Sequence, residues 1–477
     1  MGATGYDLVV IGSGPGGYKA AVTAAHLGAR VALVERDLPG GTCLNQGCIP
    51  KKTLAYLAAL IEDVSALQGR GLAGKVRGDF AGALRHRDEV VAGIRSSFPV
   101  WLRRLGIRVH RGQARFLDRR RIEVAGEDGT TVLEADRVII ATGSEPRRLD
   151  ACPVDGERII TSREFMLGHP SQPRRALMVG GGTIGCELGY VLHQFGSEVT
   201  IVERAGRLLD RPCIPERASA LLARKLQRLG VDLRLGTTVA AAEPGPEGVR
   251  VYLSDGSEAL FDLVLVAVGR RPRTAGLALE SAGVAVDGHG FIVTNEHLET
   301  TAPGIYAVGD VKGGPMTANA ALHDAKVAAT NAAGGGSLQR NYNIVPIVID
   351  SALEIAAVGL TEGRAEDAGF EPDVARASLG GSPKARTRHD VEGFIEVVHD
   401  EETGQMLGGC IVGPEAGEQI QMLTAACQSR KGLWFLKEIS YSHPSWCEEL
   451  ENAIDPYTAA FIRSGREVFR AGIYASE

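Results

Sequence analysis

Long apolar runs are missing from this 477-residue chain. None approaches the ~20 residues that a membrane-spanning helix needs, so no membrane association is expected. The opening segment, MGATGYDLVVIG, has neither a basic n-region nor an apolar h-region of useful length. That argues against a signal peptide and makes a cytoplasmic or equivalent soluble compartment the expectation. Basic tracts are lacking too: 52 Lys and Arg stand against 58 Asp and Glu, a net charge of −6, so a nucleic-acid partner is not expected. Cysteine is sparse at 8 residues, and Cys152, Cys186, Cys213, Cys410, Cys427 and Cys447 are scattered singly, which argues against a secreted disulfide scaffold.

Glycine, by contrast, is plentiful at 61 residues, and the length suffices for about three domains. Tyr6 to Ile11 reads as a short buried strand. It runs into Gly12-Ser-Gly14-Pro-Gly-Gly17 and an Ala-rich helix expected over 18–27, and a second strand from Arg30 ends at Glu35. Strand, GxGxxG, helix and terminal acid together form a dinucleotide-binding pattern. The glycines let the backbone approach a pyrophosphate, the helix N-terminus stabilises its charge, and the acid accepts from a ribose hydroxyl. The pattern recurs: a strand at 176–179, Gly180-Gly-Gly182-Thr-Ile-Gly185, a helix, a strand at 199–202 and Glu203, spaced as before. Two such units imply two dinucleotides. A carboxylate at Glu203 repels a 2′-phosphate, which favours NAD over NADP.

Between the first unit and the second lies Gly-Gly-Thr-Cys43-Leu-Asn-Gln-Gly-Cys48-Ile-Pro-Lys-Lys52. A structural disulfide, half of a metal site and a redox dithiol all compete for this pair. A nicotinamide moves hydride in two-electron units and a dithiol reacts as thiolate, so a flavin between them is the natural converter.

These segments, with Ala141-Thr-Gly143, Gly269-Arg-Arg-Pro272, Thr301 to Asp310 and His443-Pro-Ser-Trp-Cys-Glu448, resemble the pyridine nucleotide–disulfide oxidoreductases over nearly the whole chain. The resemblance implies an α/β fold: two Rossmann-like domains, for FAD and NAD, and a C-terminal α+β dimerisation domain. It implies an enzyme that oxidises dihydrolipoamide on a lipoyl-bearing protein or domain and works as a homodimer. Cys43 would then meet the substrate and Cys48 face the flavin, with His443 as base and Glu448 as its partner. Gly12, Gly14, Gly17, Glu35, Thr42, Lys52, Ala114, Thr142, Gly143, Asp310, Met316 and Ala318 would hold FAD. Gly180, Gly182, Gly185, Glu203 and Gly269 would line the NAD site, and Glu187, a cofactor-binding position, would pair with Lys52.

Independently of the family, a carboxylate five positions after His443 can fix its tautomer, as in a Ser-His-Asp site. A base is needed because only a thiolate attacks a disulfide. No metal is expected, since the x4 cysteine spacing is not that of a zinc site and no second Cys/His pair lies at ligand spacing. A structural disulfide closing so short a loop stabilises little and suits a reducing compartment poorly, so redox cycling is the better reading.

Some residues depart from the family. Lys51 gives PKK, as in glutathione-type members, where members acting on lipoyl groups usually have Ser or Thr. That keeps an NAD(P)H-dependent reductase of another disulfide as the alternative, although Val22-Thr23 replace the arginines such reductases use. The C-terminal RAGIYASE lacks the vicinal cysteines of mercury-handling relatives, and the intact Cys, His and Glu set speaks against an idle flavoprotein assembly subunit. Met316-Thr-Ala-Asn319-Ala-Ala-Leu-His323 replaces the usual MLAHKAEEE, and Trp446-Cys447 stand where Leu and Ser are common; the latter read as packing variants. The expected division is 1–148 and 271–341 for FAD, 149–270 for NAD and 342–477 for the interface. The AAGGGS segment 332–337 should form a turn-rich boundary, and a hairpin should span 392–399 and 405–412.

Overall fold

The computed structural model describes residues 4–127, 129–168, 170–388, 392–429 and 432–464. Residues 1–3 and the C-terminal RAGIYASE segment lie outside them. The chain divides into two compact units: Met1–Leu54 with Asp79–Ser171 and Val266–Arg340, and Ala55–Gly78 with Gln172–Leu265 and Asn341–Glu477. Among the described residues no helix is long and apolar enough to cross a membrane.

In the first unit, β1 (Thr4–Ile11) leads through the glycine loop to α1 (Pro15–His26) and β2 (Val31–Glu35). β1 pairs in parallel with β2 on one side and with the strand Gly129–Ile140 on the other, Val9 facing Ala32 and Val138. Side chains of a strand alternate between faces. Leu8, Val10 and Leu33 therefore enter one core with Ala20, Ala21 and Ala24 of α1 and with Ala325, Ala328 and Ala329 of the helix Ala318–Gly334. Val9, Ile11 and Val34 enter a second core on the opposite face. A sheet covered on both sides explains why LVVI, residues 8–11, is continuously apolar rather than alternating. Each fully buried Leu or Val there contributes about 2 kcal/mol by leaving water.

α1 starts three residues before the expected Tyr18, because Pro15 at its first position is pre-set for helical φ and lacks only an amide hydrogen that the first turn would not use. The expected turn at 332–337 is also displaced. The Ala318–Gly334 helix absorbs its first half and ends on Gly335 in the left-handed region. The cysteine segment is itself helical, as α2 (Gly41–Gln46) and α3 (Cys48–Ala66).

In the second unit, β3 (Arg175–Val179) pairs in parallel with β4 (Glu198–Glu203), which pairs with Asp232–Leu235, and α4 (Thr183–Gln194) follows the second glycine loop. The same unit holds a five-stranded antiparallel sheet in which Phe394–Asp400 and Met406–Val412 form the expected hairpin. Trp446 is buried in that sheet's core beside Leu450 and Ile454, which supports the packing reading, and the Arg388 guanidinium lies 5.9 Å from its ring centroid.

One contact is common to both glycine loops. A Cβ on Gly17 would lie 1.7 Å from the Gly12 carbonyl oxygen, and one on Gly185 would lie 1.8 Å from that of Gly180. Backbone cannot yield by that much. Gly185→Ala is expected to cost roughly 2–4 kcal/mol and several degrees of Tm. Gly363→Ala, whose Cβ would meet nothing within 4 Å and which lies in the helix Glu362–Asp367, should leave Tm unchanged or raise it slightly. Calorimetry of the two variants checks the contrast.

Candidate functional site

In the first unit, no side chain caps the first turn of α1, so its amide hydrogens are available to a ligand. A Cβ on Gly14 would meet only the Gly41 Cα, at 4.0 Å, leaving a cradle above that turn. Glu35 closes one side of it. Its Oε2 accepts from the Ser13 amide at 2.9 Å and the Ser13 hydroxyl at 2.6 Å, and its Oε1 accepts from the Asp37 amide at 2.8 Å. A carboxylate has about four acceptor positions, so one is left for a ribose hydroxyl. Open space, free amides and a spare acceptor fit the adenylate half of a dinucleotide.

Ser13 extends this arrangement to the cysteines, for its Oγ accepts from the Gly40 amide at 3.0 Å. Asn45 then donates to the carbonyls of Pro39 at 2.9 Å and Gly41 at 3.0 Å. Cys43 and Cys48 lie side by side, near 2.8 Å apart. The hydrogen bond with Cys48, reinforced by burial, holds the Cys43 pKa far above its ordinary value, and the Lys51 charge opposes that rise. Thr42 lies in α2, and Lys52 is exposed in the first turn of α3.

Further along the same unit, Ala114 is buried on the strand Gln113–Phe116, and its carbonyl accepts from the Gln113 side chain at 3.2 Å. Thr142 Oγ1 donates to the Arg273 carbonyl at 2.7 Å, and Gly143, with φ of +71°, accepts the Arg273 amide at 3.0 Å. Asp310 Oδ2 receives the Ser144 hydroxyl at 2.5 Å, and Ser144 Oγ in turn receives Arg270 Nε at 2.6 Å. Ser144 and Arg270 were not assigned from sequence, although Arg270 stands in the GRRP segment. Gly269 and Met316, expected at different cofactors, line one cleft of about 510 Å3 with Arg147, Arg270, Phe291 and Lys312. Ala318 opens the helix that Thr317 caps by accepting the Ala320 amide.

The second unit brings together the remaining expected residues. Gly182 has open space where its Cβ would be, and no side chain caps the first turn of α4. Glu203 accepts the Gly181 amide at 2.6 Å and the Ala205 amide at 2.7 Å, which leaves acceptor capacity for a ribose. Glu187 is 1% exposed and accepts the Asp350 amide at 2.9 Å. Near the C-terminal helix α5 (Glu448–Ser464), His443 Nδ1 donates to Glu448 Oε2 at 2.8 Å. Glu448 Oε1 accepts the Ser445 amide at 3.1 Å while Ser445 Oγ accepts the Glu448 amide at 3.3 Å. This reciprocal pair is of the capping-box kind, a signal that was legible as Ser-x-x-Glu. It fixes Glu448, which fixes the imidazole: Nδ1 carries the hydrogen and Nε2 is left as a base. The histidine side chain is 72% exposed and the glutamate 15%. Among the described residues no group of three or more His, Cys, Asp or Glu could hold a metal ion.

A family model described as pyridine nucleotide-disulphide oxidoreductase matches residues 6–325, and one described as the dimerisation domain of those proteins matches 345–454. A protein named dihydrolipoyl dehydrogenase from Thermus scotoductus is 41% identical over 94% of this chain and 97% of its own length. The crystal structure of LpdA from Mycobacterium tuberculosis shares 26% identity at a TM-score of 0.89, covering 95% of this chain and 99% of that one. RclA from Escherichia coli, described as an HOCl-induced flavoprotein disulfide reductase in its Cu(II) complex, shares 29% identity at a TM-score of 0.84 over 96% of this chain and 100% of that one.

Ser144 joins the half-buried Arg270 guanidinium to the Asp310 carboxylate, so its hydroxyl acts on a charged acceptor, worth about 1.5 kcal/mol. Ser144→Ala is expected to raise the dissociation constant for FAD about tenfold, read by flavin fluorescence on titrating apoprotein.

Proposed function

The chain belongs to the pyridine nucleotide–disulphide oxidoreductases, FAD- and NAD-using enzymes, and on that premise we propose that it is a dihydrolipoyl dehydrogenase, moving two electrons from a lipoyl dithiol on a carrier protein to NAD⁺. The observation that carries this reading is the closely apposed Cys43–Cys48 pair, tied through Ser13 and Gly40 to the glycine loop. The first loop, Glu35, Thr142, Gly143 and Asp310 would hold FAD, and the second loop with Glu203 would hold NAD. Bound FAD supplies the two-electron exchange between a dithiol and NAD⁺.

The cysteines do the sulfur chemistry. With the pair oxidised, a substrate thiolate attacks Cys43 Sγ; a new S–S bond forms and the Cys43–Cys48 bond breaks, its electron pair leaving on Cys48. The second substrate thiol, deprotonated, then attacks its neighbouring sulfur and releases Cys43. The lipoyl group ends as a cyclic disulfide and the enzyme as a dithiol, with two electrons transferred. Each attack needs a proton removed, and His443 Nε2 is the base, with Glu448 stabilising the imidazolium. Lys51 favours the thiolate of Cys43.

The RclA likeness and Lys51 favour a second reading, NAD(P)H-driven reduction of another disulfide. Turnover separates the two. The protein is expected to reduce NAD⁺ with dihydrolipoamide, to lose that activity in Cys43→Ser or Cys48→Ser, and to lose about 10²–10⁴-fold in kcat in His443→Gln. Activity surviving in either cysteine variant would sink the dithiol assignment. Faster NADPH-driven reduction of glutathione disulfide would move the function to the second reading.

The dimerisation domain and the exposure of His443 support a homodimer in which each histidine serves the cysteines of the partner subunit. Refolding Cys48→Ser and His443→Ala chains together at equal ratio should give about half mixed dimers, each with one intact site, and so about one quarter of normal activity. No recovery, with mixed dimers visible on native gels, would refute the shared site.

A further inference from the structure

Two residues beyond Asp310, a charge pair is buried. The Lys312 and Asp324 side chains are 4% and 1% exposed, with Nζ and Oδ2 3.1 Å apart. The same Oδ2 accepts the Gly309 amide at 3.0 Å. Gly309–Lys312 is a single 3₁₀ turn, and Asp310 is its second residue. One carboxylate on the helix Ala318–Gly334 thus grips both ends of the turn that presents Asp310.

Stability alone does not account for such a pair. Removing two charges from water costs about as much as their attraction returns, and a well-packed apolar pair would serve as well. Fixing the register of a segment is the better-supported use. The segment fixed here needs it: Gly309 has φ of +70°, and Met316, a non-glycine residue, is held at +52°. Lys312, Gly313, Gly314 and Met316 all line the cleft.

We infer that Asp324 is a positioning residue for FAD, acting as the acceptor of the Gly309 amide to set the Asp310 turn. The inference rests on Asp310 being a flavin contact, as proposed above. Burial pushes the Lys312 pKa down while the Asp324 charge opposes it, so the pair is best removed as a unit.

Two double variants separate positioning from stability. Lys312→Met/Asp324→Asn removes both charges but leaves an amide oxygen for Gly309; Lys312→Met/Asp324→Leu removes the acceptor as well. Apoprotein Tm is read by calorimetry and FAD affinity by fluorescence titration, without lipoyl substrate, so failure of the dihydrolipoyl reading does not touch the result. The Asn double should bind FAD within about threefold of the parent. The Leu double should bind at least about tenfold more weakly with Tm within a few degrees of the Asn double. Equal affinity in all three proteins overturns the inference. So does an affinity loss that follows Tm in both variants. Should the Leu double fail to fold, the Asn double decides: near-parent affinity supports the acceptor role, and a tenfold loss overturns it.

Discussion

Everything in the two nucleotide-binding units depends on a helix being able to sit against the carbonyl of the turn before it. Gly17 lies on Gly12, and Gly185 on Gly180, closer than any Cβ would permit. That seating brings the start of α1 to the C-terminal edge of β1, and the start of α4 to that of β3. In each case the uncapped amides meet a space that no side chain enters. Two unlike glycine segments, one with Pro15 and one with Thr183, arrive at the same geometry because the steric demand is the same.

The cysteine pair inherits its place from this constraint. Ser13, inside the first loop, donates to Glu35 and accepts from Gly40, so Glu35 and the cysteine segment share one hydroxyl. Gly41 adds a second tie, for a Cβ there would lie 2.6 Å from the Gly14 Cα. The dithiol is held by backbone and by Asn45, while its reactivity is left to the mutual hydrogen bond and to Lys51. Position and chemistry are thus set by different groups.

Much of this was legible in the sequence where the signal is local. The strand–glycine–helix–acid pattern spans a short stretch, and each part has a single physical reason, so both nucleotide units could be read directly. His443 and Glu448 lie five positions apart and meet as expected. The groups that complete the site are remote. Ser144 reaches Asp310 across 166 positions, Arg270 reaches Ser144 across 126, and Asp350 reaches Glu187 across 163. No periodicity records such pairings, because they follow from how strands and crossovers are arranged. The boundaries of α1 and of the Ala318–Gly334 helix shifted for a related reason. Glycine lowers helix propensity locally, but packing against the sheet and a proline at the first position outweigh it.

Glu203 illustrates a limit on how such an enzyme can change over evolution. The acid proposed to meet the NAD ribose also accepts the amides of Gly181 and Ala205. Replacing it to admit a 2′-phosphate would leave two backbone donors without their acceptor and loosen the loop meant to receive the new coenzyme. A lineage switching coenzymes must therefore rebuild the Gly180–Gly185 turn and the segment after β4 together, crossing intermediates that hold neither coenzyme well. Preference for one nicotinamide is in this sense a property of the fold's wiring, and it should persist even where selection for it has relaxed.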